Sequence, residues 1–541
     1  MSTETADVAT AARSIRNPVL PGFHPDPSIL RVGDDYYLAT STFEWFPGVR
    51  VHHSRDLVHW RPLGGIVTER RLLDLRGCGD SNGVWAPDLT WHDGQFYLVY
   101  SDVASFASGY WDPQNYLITA PDIAGPWSDP VQLHGRGFDA SLFHDEDGTT
   151  WMLSMRADWR PGRDRFAGIE IQRYDRAERR LVGRPQLLFT GTSVGLTEGP
   201  HIYRHDGWYW LVTAEGGTSW EHQVTVARSR ELLGPYEVDP AGPLLTSVGR
   251  PDLPLQKAGH GSLVRTPHGD WYLAHLVGRP YTPLGNCVLG RETAIQRVEW
   301  PAGGWPSVPG GVPADEVAGP GLPLHPWPEE PATDHFDTGE LGASWSTLRR
   351  PATDDWVDLR SRPSHLRIHG GQSPVGKQRP SLVARRVGAT HCSLETVVEF
   401  DPVDHYQLAG VTAYYNTLNW HHLYLTRADD GRRVLELLSS DSGRRTAYPE
   451  LTVDAPGTGP VGLRAEFDGP VVRFWYDLGA GWRRVPVELD ATILSDEHAA
   501  LIIDGEPAAW GFTGALLGLW VQDLGGDGGH ADFDLATYRE H

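Results

Sequence analysis

A chain of 541 residues is too long for one ordinary hydrophobic core and implies two or three domains. Its formal net charge of −23 excludes nucleic acid and anionic membrane surfaces as partners, because both demand clustered Lys and Arg. Cys78, Cys287 and Cys392 are an odd number without metal-ligand spacing, which excludes a disulfide framework as the basis of the fold.

In chain order, Met1 to Arg16 is polar and rich in Ala and Thr, without the apolar core of a secretory signal, and no later apolar run reaches the length of a membrane span. A cytoplasmic location is the simplest expectation. Helical periodicity is scarce and 61 Gly accompany 42 Pro, so the chain reads as nearly all β.

Between residues 15 and 305 one short aromatic strand recurs five times, at 33–38, 93–98, 147–152, 206–211 and 268–273. Most copies open on Asp-Gly or His-Gly and run into aromatic and aliphatic residues, which is how a tight hairpin enters a strand. The spacing of roughly 60 residues fits a repeated supersecondary unit. A weaker repeat at 54–60, 120–127 and 229–236 follows three of the copies and predicts the turn before an outer strand. Several short strands per unit, five units in all, predict a five-bladed β-propeller.

Five to eight residues before each copy stands an acidic or imidazole residue: Asp26, Asp88, Asp139, Glu198 and His260. The first strand of every propeller blade lines the central axis, so these five converge there. Any one of them could instead cap a turn at a strand end. Five at matching offsets argue for a site.

After Trp300 the chain becomes dense in Pro and Gly, and 306–333 reads as a semi-rigid connector. Beyond it, 334–541 alternates apolar and polar residues in strand candidates at 393–400, 410–415, 421–426, 434–438, 462–467 and 471–475. Two antiparallel sheets packed face to face are predicted, a β-sandwich of jelly-roll or concanavalin-like type. It either binds carbohydrate itself or closes one side of the propeller's mouth.

Three carboxylates around one pocket suit cleavage of a glycosidic bond, which needs a protonated acid at the leaving oxygen and a carboxylate acting on water or carbon. Like charges held close in a partly dry pocket keep one proton near neutral pH. The 22 Trp add ring faces that stack on sugars, although most of them serve the core.

At these residues the sequence resembles the family-43 glycoside hydrolases, most closely their β-xylosidase branch. The resemblance spans both regions. It rests on Asn17-Pro18-Val19-Leu20 with His24-Pro25-Asp26-Pro27-Ser28, on Thr40-Ser41-Thr42-Phe43-Glu44-Trp45-Phe46-Pro47-Gly48 and on Val84-Trp85-Ala86-Pro87-Asp88. Phe138-Asp139-Ala140-Ser141-Leu142-Phe143, Thr197-Glu198-Gly199-Pro200-His201 and Leu289-Gly290-Arg291-Glu292-Thr293 complete it. It implies that Asp26 is the general base that activates water, Glu198 the general acid, and Asp139 the group that tunes and orients that acid. It also implies inversion at the anomeric carbon and no cofactor for the chemistry.

The same resemblance implies sugar-subsite walls from Phe43 and Trp85, and Arg291 as a forked donor to hydroxyls or to a carboxylate. His260 resembles an axial histidine that either sits beside a calcium or other divalent cation or orients the carboxylates, one imidazole being a poor metal site alone. Thr218 reaches the pocket or serves a turn, and Asp88 is assigned to holding its blade. Phe512 or Trp510, on a sandwich loop, closes the pocket and favours exo-action on short chains.

One departure concerns the leaving-group sugar. Relatives place a Trp at the position of Ala157, whereas here the ring is Trp159, and a shift of two keeps the strand face while moving the ring along it. The leading expectation is an exo-acting enzyme that releases xylose from β-1,4-xylo-oligosaccharides. The alternatives are an α-L-arabinofuranosidase or a dual enzyme, and, more remotely, a non-catalytic sugar-binding propeller. Self-association is left open.

Overall fold

The computed structural model describes residues 14–106, 110–503 and 506–541, and most of the polar N-terminal segment, Met1 to Arg13, lies outside the described residues. The fold is nearly all β, with a five-bladed propeller followed by a concanavalin-like sandwich. No helix among the described residues is long and apolar enough to cross a membrane.

Blade 1 is built from Ser28–Val32, Asp35–Thr40, Gly48–Ser54 and Arg61–Val67, paired in that order. Blade 2 runs Gly83–His92, Gln95–Ser105, Asp112–Ala120 and Val131–Gln132. Blade 3 runs Ser141–His144, Thr150–Ala157, Phe166–Asp175 and Arg180–Phe189. Blade 4 runs Glu198–His205, Trp208–Glu215, Gln223–Ser229 and Glu237–Val238, with Leu245–Thr246 also on its third strand. Blade 5 has three strands, Gln256–Arg265, Trp271–Gly278 and Arg291–Val298.

Each repeated aromatic segment is the second strand of its blade, entered from a hairpin turn, and the weaker repeat is the turn before the outer strand in blades 1, 2 and 4. The innermost strands of neighbouring blades touch around the axis. Blade 5 is closed by the segment that precedes blade 1. Asn17 donates from Nδ2 to the Ile295 carbonyl at 2.8 Å and accepts the Ile295 N–H at 2.8 Å, and Leu20 bridges Thr293. This clasp joins residues some 280 positions apart and fixes the mouth that carries the site.

The sandwich consists of two nine-stranded antiparallel sheets. The strand candidates fall on His391–Glu399, Gln407–Tyr414, Trp420–Arg427, Arg433–Asp441, Val461–Asp468 and Val471–Asp477. Alternate residues such as Val411, Leu423, Leu463 and Phe474 face inward and form its core, as a two-layer sandwich requires.

One of its sheets includes a strand of the propeller region: Trp45–Phe46 pairs with Trp345–Leu348, Phe46 opposite Thr347. Phe43, Trp45 and Trp85 accordingly share one buried cluster with Tyr414, Trp420, Phe512 and Trp520. The Pro- and Gly-rich segment after Trp300 lies along the propeller rather than standing free. Glu316–Ala318 pairs with Ser14–Arg16, the His325 N–H donates to Asp56, and Arg61 stacks 3.8 Å from the Trp327 ring centre.

Candidate active site

Asp26 and Asp139 stand two residues before the innermost strands of blades 1 and 3 and His260 within that of blade 5, with φ of 54°, 54° and 49°, in the left-handed region that non-glycine residues seldom occupy. Each such residue costs on the order of 1–3 kcal/mol, and the surrounding blades hold it there. Glu198 reaches the same place by a register shift between Glu198 and His201, and blade 5 has shifts on both sides of Gly259. These local breaks turn the side chains out of the strand alternation and into one cavity of about 660 Å³, large enough for a disaccharide-sized ligand.

Asp26 occupies a wall rich in donors. Arg291 Nη1 donates to Asp26 Oδ1 at 3.0 Å in a buried salt bridge, and the Ser41 hydroxyl donates to Oδ2 at 2.7 Å. Arg291 is itself fixed. Its Nη1 donates to the Thr218 hydroxyl at 2.7 Å, and its Nη2 to the main-chain carbonyl of Phe512 at 3.1 Å. Arg291 thus serves a carboxylate and a sandwich carbonyl, and Thr218 does reach the pocket.

Asp139 and Glu198 occupy a wall where, among the described residues, no cationic partner stands in hydrogen-bond range. Burial, and then the charge of Asp26, push the Asp139 carboxyl up to about 8. Burial first, and then the charges of Asp139 and Asp26, hold Glu198 well above the usual carboxylate range. Asp139 Oδ2 accepts the Gly199 N–H at 3.0 Å, which ties it to the residue after Glu198. Among the described residues no hydrogen bond holds the Glu198 carboxyl, which faces the cavity.

Every residue of Thr197-Glu198-Gly199-Pro200 has a defined task in this wall. Thr197 donates to Glu215 Oε1 at 2.9 Å, and the Pro200 carbonyl accepts the Ser141 hydroxyl. Gly199 has φ 57°, and a Cβ there would stand 3.0 Å from the His260 ring, so a side chain is disfavoured on both counts. Glu215, fully buried, also accepts from Thr192 and Thr225 and anchors the loop leading into Glu198. Sequence reasoning missed Glu215, although it stands in the same strand as one of the repeated aromatic segments.

Aromatic rings complete the cavity. Phe43, Trp85 and Phe512 form a triangle with centroid separations of 5.4–6.1 Å, and Trp510 stacks on Phe512 at 5.3 Å. The expected Phe43, Trp85 and Phe512 walls are therefore brought together, with Trp510 beside them. Phe106, Trp111, Phe138 and Phe166 extend the lining and had not been singled out. A buried hub underlies the triangle: Ser81 accepts the Trp85 indole N–H on its carbonyl at 3.0 Å and the Phe512 N–H on its hydroxyl at 3.2 Å. Its own N–H donates to Glu44 at 3.1 Å.

A second group missed by sequence reasoning lies where the sandwich meets the cavity. Lys257 Nζ is 2.5 Å from Glu497 and 3.6 Å from Asp496, all three in the lining. Asp88, by contrast, is not in it. It accepts from the Ser28 hydroxyl at 3.1 Å and the Leu142 N–H at 2.9 Å, and so joins blades 1, 2 and 3.

His260 lines the cavity with its ring against Gly199, and burial pushes its imidazole down to about 4. No group of three or more His, Cys, Asp or Glu among the described residues is arranged to hold a metal ion. The expectation of calcium or another divalent cation beside His260 therefore finds no support in the residues around it.

Trp159 corrects another expectation. The strand Thr150–Ala157 ends at Ala157, so the ring does not slide along a strand face. Asp158 accepts from the main-chain N–H and Nε of Arg160 at 3.3 and 2.7 Å, which turns the chain away from the sheet and leaves Trp159 56% exposed. Trp159 lines a neighbouring cavity instead.

Comparison with known proteins agrees with this geometry. Residues 15–306 match the glycosyl hydrolases family 43, and 333–539 match the β-xylosidase C-terminal concanavalin A-like domain. A xylan 1,3-β-xylosidase of a Vibrio species is 43% identical over 542 residues, covering 98% of this chain and 99% of its own. Xylosidase/arabinosidase 43B of Humicola insolens is 44% identical over 535 residues, 97% of each chain. The crystal structure of a xylan β-1,4-xylosidase from Bacillus halodurans C-125 aligns with a TM-score of 0.93 at 46% identity, covering 97% of this chain and 100% of that one. The chain belongs to glycoside hydrolase family 43, and it is a glycoside hydrolase.

Proposed function

We propose that the protein is an inverting, exo-acting β-xylosidase that releases xylose from the non-reducing end of short xylo-oligosaccharides. The observation that carries this reading is the asymmetry of the cavity. Asp26 is held by Arg291 and Ser41, while Glu198 and Asp139 are buried together on the wall that lacks such a clasp. A proton is therefore retained on the Glu198–Asp139 side, where it can be given to a leaving oxygen.

In the proposed step Asp26 takes a proton from a water molecule, whose oxygen forms a bond to the anomeric carbon. The bond from that carbon to the glycosidic oxygen breaks, and Glu198 supplies the proton that the leaving oxygen needs. Asp139, held by the Gly199 N–H, orients Glu198 and helps to keep it protonated. His260 acts as a neutral imidazole that packs the axis. The products are xylose of inverted configuration and a chain one unit shorter. NMR of the first-formed anomer tests this, and retained configuration would defeat it.

The cavity closed by Phe512 and Trp510 supports removal of a single terminal sugar. The β-1,4 linkage is supported by the 46% identical xylosidase of that name, while the Vibrio relative is named for 1,3-linked xylan. Turnover of β-1,4- against β-1,3-xylobiose decides between them. A second, arabinofuranosidase activity is favoured by the relative named xylosidase/arabinosidase. The ratio of rates on p-nitrophenyl β-D-xylopyranoside and α-L-arabinofuranoside measures it.

A further inference from the structure

Beside the mouth of the main cavity lies a second one of about 480 Å³, and the two share Trp111 and Arg165 in their lining. Its rim carries two of the most exposed large rings of the described residues, Tyr110 at 62% and Trp159 at 56%. The rings lie 5.0 Å apart at 43°, too exposed to serve a core. Leaving such rings in water forgoes their burial, and two tilted ring faces beside polar neighbours suit the apolar face and hydroxyls of a sugar.

The polar neighbours are prearranged. Arg136 donates from Nη2 to Glu170 at 2.8 Å, and Asp158 is clasped by Arg160, so the charged groups around the rings are held by one another. Arg156 adds donors to the same lining. The main cavity is of a size for the two sugars that flank the scissile bond, and continuity through Trp111 leads the next unit outward.

We infer that Tyr110 and Trp159 form a shelf for the third xylosyl unit of the substrate, two positions beyond the scissile bond on the leaving-group side. This rests on the proposed xylo-oligosaccharide substrate. The shelf favours chains of three or more units over xylobiose without touching the reacting atoms.

The test compares kcat/KM on p-nitrophenyl β-xyloside, xylobiose and xylotriose for the wild type, Trp159→Ala, Trp159→Phe and Tyr110→Ala. The wild type is expected to prefer xylotriose to xylobiose. Trp159→Ala is expected to lose about tenfold on xylotriose through KM, with less than about twofold change on the two shorter substrates. Trp159→Phe, which keeps a ring, is expected to recover most of the loss, and Tyr110→Ala to show a smaller loss of the same selectivity. An active wild type whose variants lose nothing on xylotriose, or lose equally on all three substrates, overturns the shelf alone. A wild type that turns over neither oligosaccharide overturns the substrate reading and the shelf with it.

Discussion

The two walls of the active cavity are made of the same chemical group in opposite surroundings. On one wall Asp26 has an arginine at 3.0 Å, itself anchored by Thr218 and the Phe512 carbonyl, and a hydroxyl at 2.7 Å. On the other, Asp139 and Glu198 share burial and mutual repulsion, relieved by a main-chain N–H on Asp139. Burial and neighbours contributed by distant parts of the chain thus raise the proton affinity of Asp139 and Glu198. The proposed acid and base roles rest on these surroundings.

The strongest way to break this comparison is to remove the Asp26 carboxylate. Asp26→Ala should lower kcat by about 10³–10⁴ on aryl xylosides and xylobiose alike, because water activation is needed whatever the leaving group. Steady-state rates on both substrates check it, and an aryl rate near wild type would reverse the assignment of the walls.

Glu198→Ala should be almost as damaging on xylobiose, by about 10²–10³, but should spare p-nitrophenyl β-xyloside by a further tenfold or more. A good leaving group departs with little protonation. Equal losses on the two substrates would mean that the proton comes from elsewhere.

The coupling within the second wall is sharpened by Asp139→Asn and a pH profile. Glu198 is competent when protonated, and burial and the Asp139 charge both raise its proton affinity, so activity is lost as pH rises through the raised value. Removing that charge lets Glu198 release its proton at lower pH. The alkaline limb of kcat/KM should therefore move to lower pH, on top of a fall in kcat. An unmoved limb would detach Asp139 from the titration of the acid.

The smallest effect is expected at Ser81, beneath the ring triangle. Ser81→Ala removes the hydroxyl that accepts the Phe512 N–H while keeping the carbonyl that accepts Trp85. A lost buried acceptor costs on the order of 1–3 kcal/mol. KM should rise severalfold with kcat nearly unchanged, because the ring triangle loosens while the carboxyls stay in place. A loss confined to kcat would show that Ser81 acts on the chemistry.

Much of this site was legible because short-range patterns carry it. Asp26, Asp139 and Glu198 each stand seven or eight residues before a repeated aromatic segment, and hairpin chemistry repeats locally. The offset did not show that Asp88 clasps three blades while His260 packs on Gly199, since both depend on which strands become neighbours. Nor did it show that Glu215 anchors the acid's loop, or that Lys257 meets Asp496 and Glu497 across the domains. Trp159 was placed on a strand face because alternation was extended past Ala157, where the Asp158–Arg160 clasp ends it.

By itself the sequence determined the all-β character, the five repeated units, the sandwich that follows and the five polar positions ahead of the aromatic strands, because strand alternation, turn residues and repeat spacing act over a few residues, while the resemblance to family 43 singled out three carboxyls among them. Only the tertiary structure decided that Arg291 bridges Asp26 to the carbonyl of Phe512, 221 positions away, and that Trp45–Phe46 joins a sheet of the sandwich. It also decided that one wall is charge-paired and the other is left to retain a proton. The physical reason is that a carboxyl's proton affinity depends on burial and on charges within a few ångströms, and those neighbours are fixed by closure of the blades and docking of the sandwich.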